Sequence, residues 1–436
     1  MARAARQVPV SLRDAARKAA DAVDPERVAA LAQGLVRCRS VYEPDRDGTG
    51  REGTEREAAA FVADALRGAG FEPLVEEAAP GRPNVICDWQ GSAFDPERHR
   101  TLMFEGHTDV VTEGDASQWR VPPFEGRIEG DVLFGRGSAD MKAGVAAAIA
   151  ALEAVRAATP DLPGRIRLGI VADEEGLMLG IKDFVERGWA DAVAGAIVCE
   201  PEENEICLFQ KGAMRVRVRV RGVMSHGAMP YAGVNPILGL ADLVAGVREL
   251  ERAEQARLGE HPYLGLPWLT PTIATAPAAG EPQHNVMPDE AFLALDIRTV
   301  PGQDHDVLLA ALHDLARSLE RRTPRLAIEV DCFESRPWTQ TAEDDPLVRA
   351  VERAYPEVLG SAPRYGGVPG ATDGTILWAR RNIPIVTLGP GDRTIPHQVD
   401  EFVRLSETVA AARLYAAAAV EYLGLEIATE PVDADA

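Results

Sequence analysis

The sequence predicts an α/β fold: a mostly parallel mixed sheet flanked by helices, interrupted by a smaller α+β insert. Three observations carry this prediction. Short apolar runs alternate with helical patterns through the first 200 residues, the rhythm of β–α–β units. Residues 215–221 then read Arg–Val–Arg–Val–Arg–Val–Arg, a period-two alternation that fits an antiparallel strand wetted on one face. From Pro346 the mixed helix and strand rhythm resumes. The chain therefore reads as a discontinuous larger domain, residues 1–210 and 335–436, around an insert at 211–334.

The elements follow in order. Asp24 stands before Pro25 and an apolar-periodic stretch to Val36, a capped helix start. Tyr42 to Gly53 is dense in Asp, Gly and Pro and reads as a loop. A helical pattern from Thr54 to Ala69 stops at Gly70. Asn84–Cys87, Thr101–Phe104, Ile166–Val171 and Ala194–Cys199 are strand candidates, with an Ala-rich helix at Met141–Ala157. In the insert, Met214–Arg221, Ala291–Arg298 and Leu326–Phe333 read as strands, and Pro236–Ala253 and His305–Arg321 as helices. Beyond it come a helix from Pro346 to Tyr355, the segment Thr375–Arg380, a buried strand Ile383–Leu388 and a helix Ser406–Leu423. The acidic tail ending Asp433–Ala434–Asp435–Ala436 is expected to be disordered.

Composition narrows the function. The 436 residues carry 46 Lys and Arg against 68 Asp and Glu, a net charge of −22. Such a surface repels phosphate backbones, so nucleic acid is excluded as a partner. No apolar run reaches the roughly 20 residues that cross a bilayer, and Met1 to Ala22 lacks the apolar core of a secretory signal. Cys38, Cys87, Cys199, Cys207 and Cys332 are scattered and include no CxxC pair. Free thiols in a reducing, cytoplasmic setting are expected.

Polar residues collect at the carboxyl ends of the predicted strands. Thr101–Phe104 runs into Glu105–Gly106–His107–Thr108–Asp109, Ile166–Val171 into Asp173–Glu174–Glu175, and Ala196–Cys199 into Glu200. Ile383–Leu388 leads through Gly389–Pro390–Gly391 to His397, and Asp140 opens the Ala-rich helix. In open α/β sheets, sites form beyond these strand ends. Taken singly, Asp140 reads as an N-cap, Glu174–Glu175 as a solvated acidic pair, His107 as a hydrogen-bonded core histidine and Asp109 as a backbone acceptor. Gathered at one edge, the set concentrates like charges that a cation would neutralise. Oxygen and imidazole donors without sulfur suit zinc or a neighbouring divalent transition metal.

These segments resemble the M20 zinc peptidase and amidohydrolase family, in its acetylornithine deacetylase and succinyl-diaminopimelate desuccinylase branch. The matching pieces are Gly106–His107–Thr108–Asp109–Val110–Val111, Gly135–Arg136–Gly137–Ser138–Ala139–Asp140–Met141–Lys142, Asp173–Glu174–Glu175–Gly176 and Cys199–Glu200–Pro201. Gly222 through His226–Gly227–Ala228–Met229–Pro230, Asn285–Val286–Met287–Pro288 and His397–Gln398–Val399–Asp400–Glu401 complete the ordered set, from about Val28 to Leu423. Two changes depart from the family: Gln398–Val399 replaces the commoner small–Pro pair, and Gly176–Leu177–Met178 lacks the usual Gly pair.

The resemblance implies a zinc-exopeptidase-like catalytic domain with an inserted lid that also dimerises. It implies two divalent ions per chain, zinc as first expectation and cobalt or manganese as alternatives. His107 and Glu200 would bind one ion, Glu175 and His397 the other, and Asp140 both. Asp109 would orient His107. Glu174 would be the general base, taking a proton from a water shared by the metals and returning it to the leaving amine. His226 would reach the partner subunit's site and stabilise the oxyanion. Asn285 and Arg298 would contact substrate, the Arg through a carboxylate, and the Gly370–Ala371–Thr372–Asp373–Gly374 loop would also bind it, with Gly370 and Thr372 as candidates. Val368–Pro369–Gly370–Ala371–Thr372–Asp373–Gly374 lies nearer the desuccinylase pattern than the deacetylase pattern.

The expected reaction is hydrolysis of an amide bond in an N-acyl amino acid or related small amide. Dipeptidase, carboxypeptidase or carbamoyl, formyl and aryl-amine hydrolase chemistry on the same fold is the alternative. A non-catalytic homologue is disfavoured because all five ligand positions and Glu174 hold competent residues. Arg298 reads equally as an exposed strand residue in a salt bridge, and His226 as a surface turn histidine. His99, His261, His284, His305 and His313 match no ligand position, with His305 and His313 expected to be solvated on a lid helix.

Overall fold

A computed structural model describes residues 10–42 and 54–424 of the protein. The predicted loop after Tyr42 and the acidic tail lie outside the described residues. The chain divides into two compact units. One takes in residues up to Leu208, Thr341–Gly366 and the chain from Thr372; the other is Phe209–Gln340 with Gly367–Ala371. The second unit is thus longer than the expected insert at 211–334, and it recruits a short piece of the predicted substrate loop.

The first unit is built on a mixed sheet. Its strands run, side by side, Leu74–Ala79, Arg82–Gln90, Arg165–Val171, Thr101–His107, Gly195–Val198, Ile385–Thr387 and Ile206–Gln210. The central pairings are parallel: Arg165–Val171 with Thr101–His107, that strand with Gly195–Val198, and Gly195–Val198 with Ile385–Thr387. The flanking pairings are antiparallel. The parallel registers align His107 with Val171, Glu105 with Val198, and Thr387 with Val198. The four strands therefore end at one edge.

Both faces of this sheet are covered, which is why its central strands read as unbroken apolar runs. Met103, Ala196, Val198 and Ile385 pack with Ile181, Phe184, Ile376 and Leu377, from helices Leu179–Glu186 and Gly374–Arg381. Phe104 turns the other way and meets Tyr415, 5.3 Å between ring centroids, on helix Leu405–Leu423. The helix Ala143–Ala158 is buried from Ala143 through Leu152, a run its alanines permit. Gly144 in its first turn shows how closely it seats. A Cβ there would lie 1.9 Å from the carbonyl oxygen of Cys199. Backbone atoms cannot yield as a flexible side chain does, so Gly144→Ala is expected to destabilise the fold by about 1–3 kcal/mol or more. Urea unfolding measures it; an unchanged midpoint would contradict this packing.

The second unit holds a four-stranded antiparallel sheet in the order Trp268–Thr275, Glu290–Thr299, Gly212–Arg221, Ala327–Arg336. Val216, Val218 and Val220 face a core completed by Leu240, Leu243 and Val247 of helix Pro236–Leu258 and Leu308, Leu312 and Leu319 of helix His305–Arg322. The alternating arginines point outward, and Arg221 pairs with Glu290 at 3.0 Å and Glu329 at 3.4 Å. His305, expected to be solvated, is half-buried, its ring nitrogens 2.8 Å from Thr299 Oγ1 and 2.8 Å from Ser335 Oγ. All five cysteines are free, and only Cys332 is not fully buried. No helix among the described residues is long and apolar enough to cross a membrane.

Candidate active site

The carboxyl edge of the first unit's sheet gathers the predicted ligand residues. His107 is the last residue of its strand, and Glu200 follows Gly195–Val198 by two. Glu174 and Glu175 lie in the turn after Arg165–Val171, and His397 in the loop after Ile385–Thr387. Asp140 sits in an irregular turn before helix Ala143–Ala158, with extended dihedrals φ −114° and ψ 99° and a cis peptide bond to Met141.

The donors form two groups that share one residue. His107, Asp140 and Glu200 offer ligand atoms within 4.8 Å of one another, as do Asp140, Glu175 and His397. His107 Nε2 is 3.2 Å from Asp140 Oδ1 and 3.7 Å from Glu200 Oε1. His397 Nε2 is 3.4 Å from Asp140 Oδ2 and 3.0 Å from Glu175 Oε1. Each oxygen of Asp140 thus faces a different group.

The electrostatics fit a divalent cation. Burial and the neighbouring Asp140 both push the Glu175 and Glu200 carboxyls up, Glu200 well above the usual range. Asp140 itself is held low: the close imidazoles of His107 and His397 outweigh its burial. Hydrogen bonds to Asp140 and Glu175 push His397 up to about 10. Burial pulls the His107 imidazolium down, yet Asp140, Asp109 and Glu200 together hold it well above its ordinary value. Such a cluster demands positive charge, from protons or from a metal. His107 Nε2 is buried among carboxylates without an aligned hydrogen bond, as an atom able to bind a cation would be. Imidazole and carboxylate donors suit zinc-like ions.

Asp109 stands beside His107 and meets it through its backbone. The His107 Nδ1 contact, 2.9 Å, is to the backbone carbonyl of Asp109, while its carboxylate is 3.6 Å away. That carboxylate instead accepts the backbone amides of Glu174, 3.1 Å, and Glu175, 3.0 Å. Asp109 therefore ties the strand end of His107 to the turn carrying Glu174. Glu174 is only 8% exposed and belongs to neither donor group.

The remaining candidates divide between the units. Thr372, in the first, is buried, and its hydroxyl accepts the Gly374 amide at 3.2 Å, starting the helix Gly374–Arg381. In the second, His226 pairs with Val286 across a two-residue ladder, and the Gly227 amide donates to Asn285 O at 2.8 Å. His226 and Asn285 are thereby neighbours, both exposed. Gly370 lies in the same unit. Arg298 is engaged by Asp296, Nε to Oδ1 2.6 Å and Nη2 to Oδ2 3.1 Å. That is the salt-bridge alternative, and its fork is free for a substrate carboxylate only if Asp296 releases it.

Some residues had no assigned role in the sequence reading. The Glu401 carboxylate is buried and accepts from Ala139 N, Asp140 N, Gly137 N and Arg136 Nη1 at 2.6–3.1 Å. It clamps the Asp140 turn from the loop of His397, and its place four residues after that histidine was the available signal. Lys142 is fully buried, donates to Cys38 O at 2.7 Å, and is pushed down to about 8 by burial. Burial pushes the Glu105 carboxyl up to about 8.

Comparison with known proteins agrees with this geometry. The model of Peptidase family M20/M25/M40 matches residues 103–421. The chain belongs to Peptidase family M20/M25/M40. Succinyl-diaminopimelate desuccinylase 2 of Ruegeria sp. (strain TM1040) is 31% identical, the match covering 94% of this chain and 98% of that protein. An M20 family metallo-carboxypeptidase from Sulfolobus solfataricus superposes with TM-score 0.72 at 18% identity, over 91% of this chain and 99% of that one. A dinuclear metal binding M20 peptidase of Bacillus subtilis gives 0.68 at 16%, over 92% and 98%. The M20 chain is thus a metal-dependent hydrolase of the peptidase and amidohydrolase kind.

Proposed function

We propose that this M20 enzyme hydrolyses the amide bond of an N-acyl amino acid, with a short dicarboxylic acyl group such as succinyl as the first candidate. The observation that carries the reading is the shared Asp140, whose two oxygens face two separate three-residue donor groups. His107, Asp140 and Glu200 would hold one divalent ion, and Asp140, Glu175 and His397 a second, zinc before cobalt or manganese. When bound, the ions would supply Lewis acidity, making water more acidic and the scissile carbonyl more electrophilic.

The chain's own residues do the rest. Glu174 sits next to a proposed ligand and outside both donor groups, a place suited to carrying a proton. It takes that proton from the attacking water and delivers it to the amine nitrogen as the C–N bond breaks. Asp109 fixes the backbone of Glu174 through the amide hydrogen bonds described above. His226 and Asn285, adjacent in the second unit, are candidates for steadying the oxyanion and the substrate, and Gly370, Thr372 and Arg298 for binding the acyl or amino acid portion. A cytoplasmic homodimer joined through the second unit is the proposed working form. The similarity to a desuccinylase supports the acyl choice.

The test is a screen of the zinc- and cobalt-loaded protein against succinyl, acetyl, formyl and carbamoyl amino acids and dipeptides, with and without a chelator. Succinyl amino acids are expected to be cleaved fastest. Chelation is expected to abolish turnover and to lower thermal stability, because an ion held at 100 times its dissociation constant contributes about 2.7 kcal/mol. Activity that survives complete metal removal would overturn the reading.

A further inference from the structure

We infer that a buried network of Glu55, Arg82 and Asp173 positions the turn that carries Glu174 and Glu175, and so acts selectively on the donor group of Asp140, Glu175 and His397. The inference rests on the proposed roles of those residues.

Arg82 Nη1 donates to Glu55 Oε1 at 2.8 Å and to Asp173 Oδ1 at 2.5 Å, and all three side chains are at most 3% exposed. A cation and two carboxylates so deeply buried are costly to assemble unless their geometry is complete. Here the geometry is spent on one turn. Asp173 immediately precedes Glu174 and has φ of 67°, left-handed for a residue other than glycine. Its second oxygen accepts the amides of Leu177 at 3.1 Å and Leu179 at 3.2 Å. One carboxylate therefore spans the turn on both sides of Glu174 and Glu175, while Arg82 anchors it to the second strand of the sheet. The guanidinium is also stacked over the Tyr42 ring, 5.3 Å from its centroid. The turn is seated tightly against these groups. A Cβ on Gly176 would lie 2.3 Å from Tyr42 Cε2 and 2.5 Å from Asp173 Oδ1.

His107 and Glu200 take their positions mainly from other elements, the turn reaching His107 only through Asp109. They leave the ends of Thr101–His107 and Gly195–Val198, whose positions are set by the parallel ladder. A loosened turn should therefore displace Glu175 while leaving His107, Asp140 and Glu200 in place. Groups behind a metal ligand typically change affinity 10–100-fold when removed.

The experiment is calorimetric titration of the full-length, metal-stripped protein with Zn2+ alone. The wild type is expected to show two binding events. Arg82→Met is expected to weaken one of them by about 10–100-fold and to leave the other within error. A single Nη1 serves both carboxylates, so the ammonium of Arg82→Lys can replace it and is expected to restore most of the lost affinity. If Arg82→Met does not fold, Asp173→Asn decides. It preserves the side-chain shape but removes the charge, and the same selective loss is expected. In a folded variant, equal weakening of both events, or of neither, overturns the brace. A wild type that binds no Zn2+ overturns the functional reading itself, which separates the two failures.

Discussion

Glu174→Gln is expected to lower kcat by about 10²–10⁴-fold, the range a general acid–base residue contributes, while leaving metal content unchanged. The substitution keeps the size of the side chain and removes only its capacity to accept a proton. Its backbone is unaffected, since the amide that Asp109 holds is still present. Neither donor group includes Glu174, so no ligand is lost. The neighbouring carboxylates should gain slightly, because the Glu174 charge is one of the influences that raise Glu200. Steady-state kinetics on the best substrate of the screen, with metal analysis of the same preparation, measures both halves. Loss of metal together with turnover would reassign Glu174 as a ligand. Full activity would move the base elsewhere, to a group not yet identified.

The contrast between what could be read from the sequence and what could not follows from range. Strands covered on both faces, such as Thr101–His107 and Arg165–Val171, announce themselves as apolar runs. The Val and Arg alternation of 215–221 gives its strand one wet face. By contrast, Trp268–Thr275 is mostly exposed and contains Pro271, so it carries neither signal. Proline there is tolerated because the strand is at a sheet edge. Leu74–Ala79, with Glu76 and Glu77, is hidden for the same reason. Helix Val10–Asp21 rests on alanines, Ala16, Ala19 and Ala20, whose burial a composition of Ala, Arg and Lys does not reveal.

At the site, the residue types and their order along the chain carry the candidate ligand set: His107, Glu175 and Glu200 sit at or shortly after strand ends, Asp140 opens a helix, and His397 follows in a loop. What order cannot convey is which atom meets which. Asp109 was expected to orient His107, and the contact it makes is through its backbone carbonyl, with its carboxylate turned to the Glu174 and Glu175 amides. The difference matters for a substitution there. Asp109→Asn would leave the contact to His107 intact and weaken the hold on Glu174 and Glu175 instead. Arg298 likewise offers a fork suited to carboxylates, and Asp296, two residues before it on the same face of the strand, already fills that fork. Pairing between side chains two apart in a strand is geometrically available to any Asp and Arg, so the sequence alone leaves both uses open.

Glu401→Ala is expected to be the most damaging single change to the fold and the site together. The Glu401 side chain is 1% exposed and that of Arg136 is 3% exposed, 2.6 Å apart. Removing the acid leaves a buried guanidinium unpaired, which costs about 3–5 kcal/mol. It also orphans the amides of Gly137, Ala139 and Asp140, which have no helical partner in this irregular turn. Unsatisfied buried donors each cost a further 1–3 kcal/mol, roughly, unless water reaches them. Glu401→Gln should be intermediate: one amide oxygen still accepts, but the new NH2 group confronts donors. Urea unfolding of the metal-free proteins gives the stability term. Zn2+ titration gives the site term, and here the expectation differs from that for Arg82. Asp140 belongs to both donor groups, so loosening its turn should weaken both binding events rather than one. A Glu401→Ala protein that unfolds at the wild-type urea midpoint and binds both ions normally would show that the Asp140 turn holds its shape without this clamp.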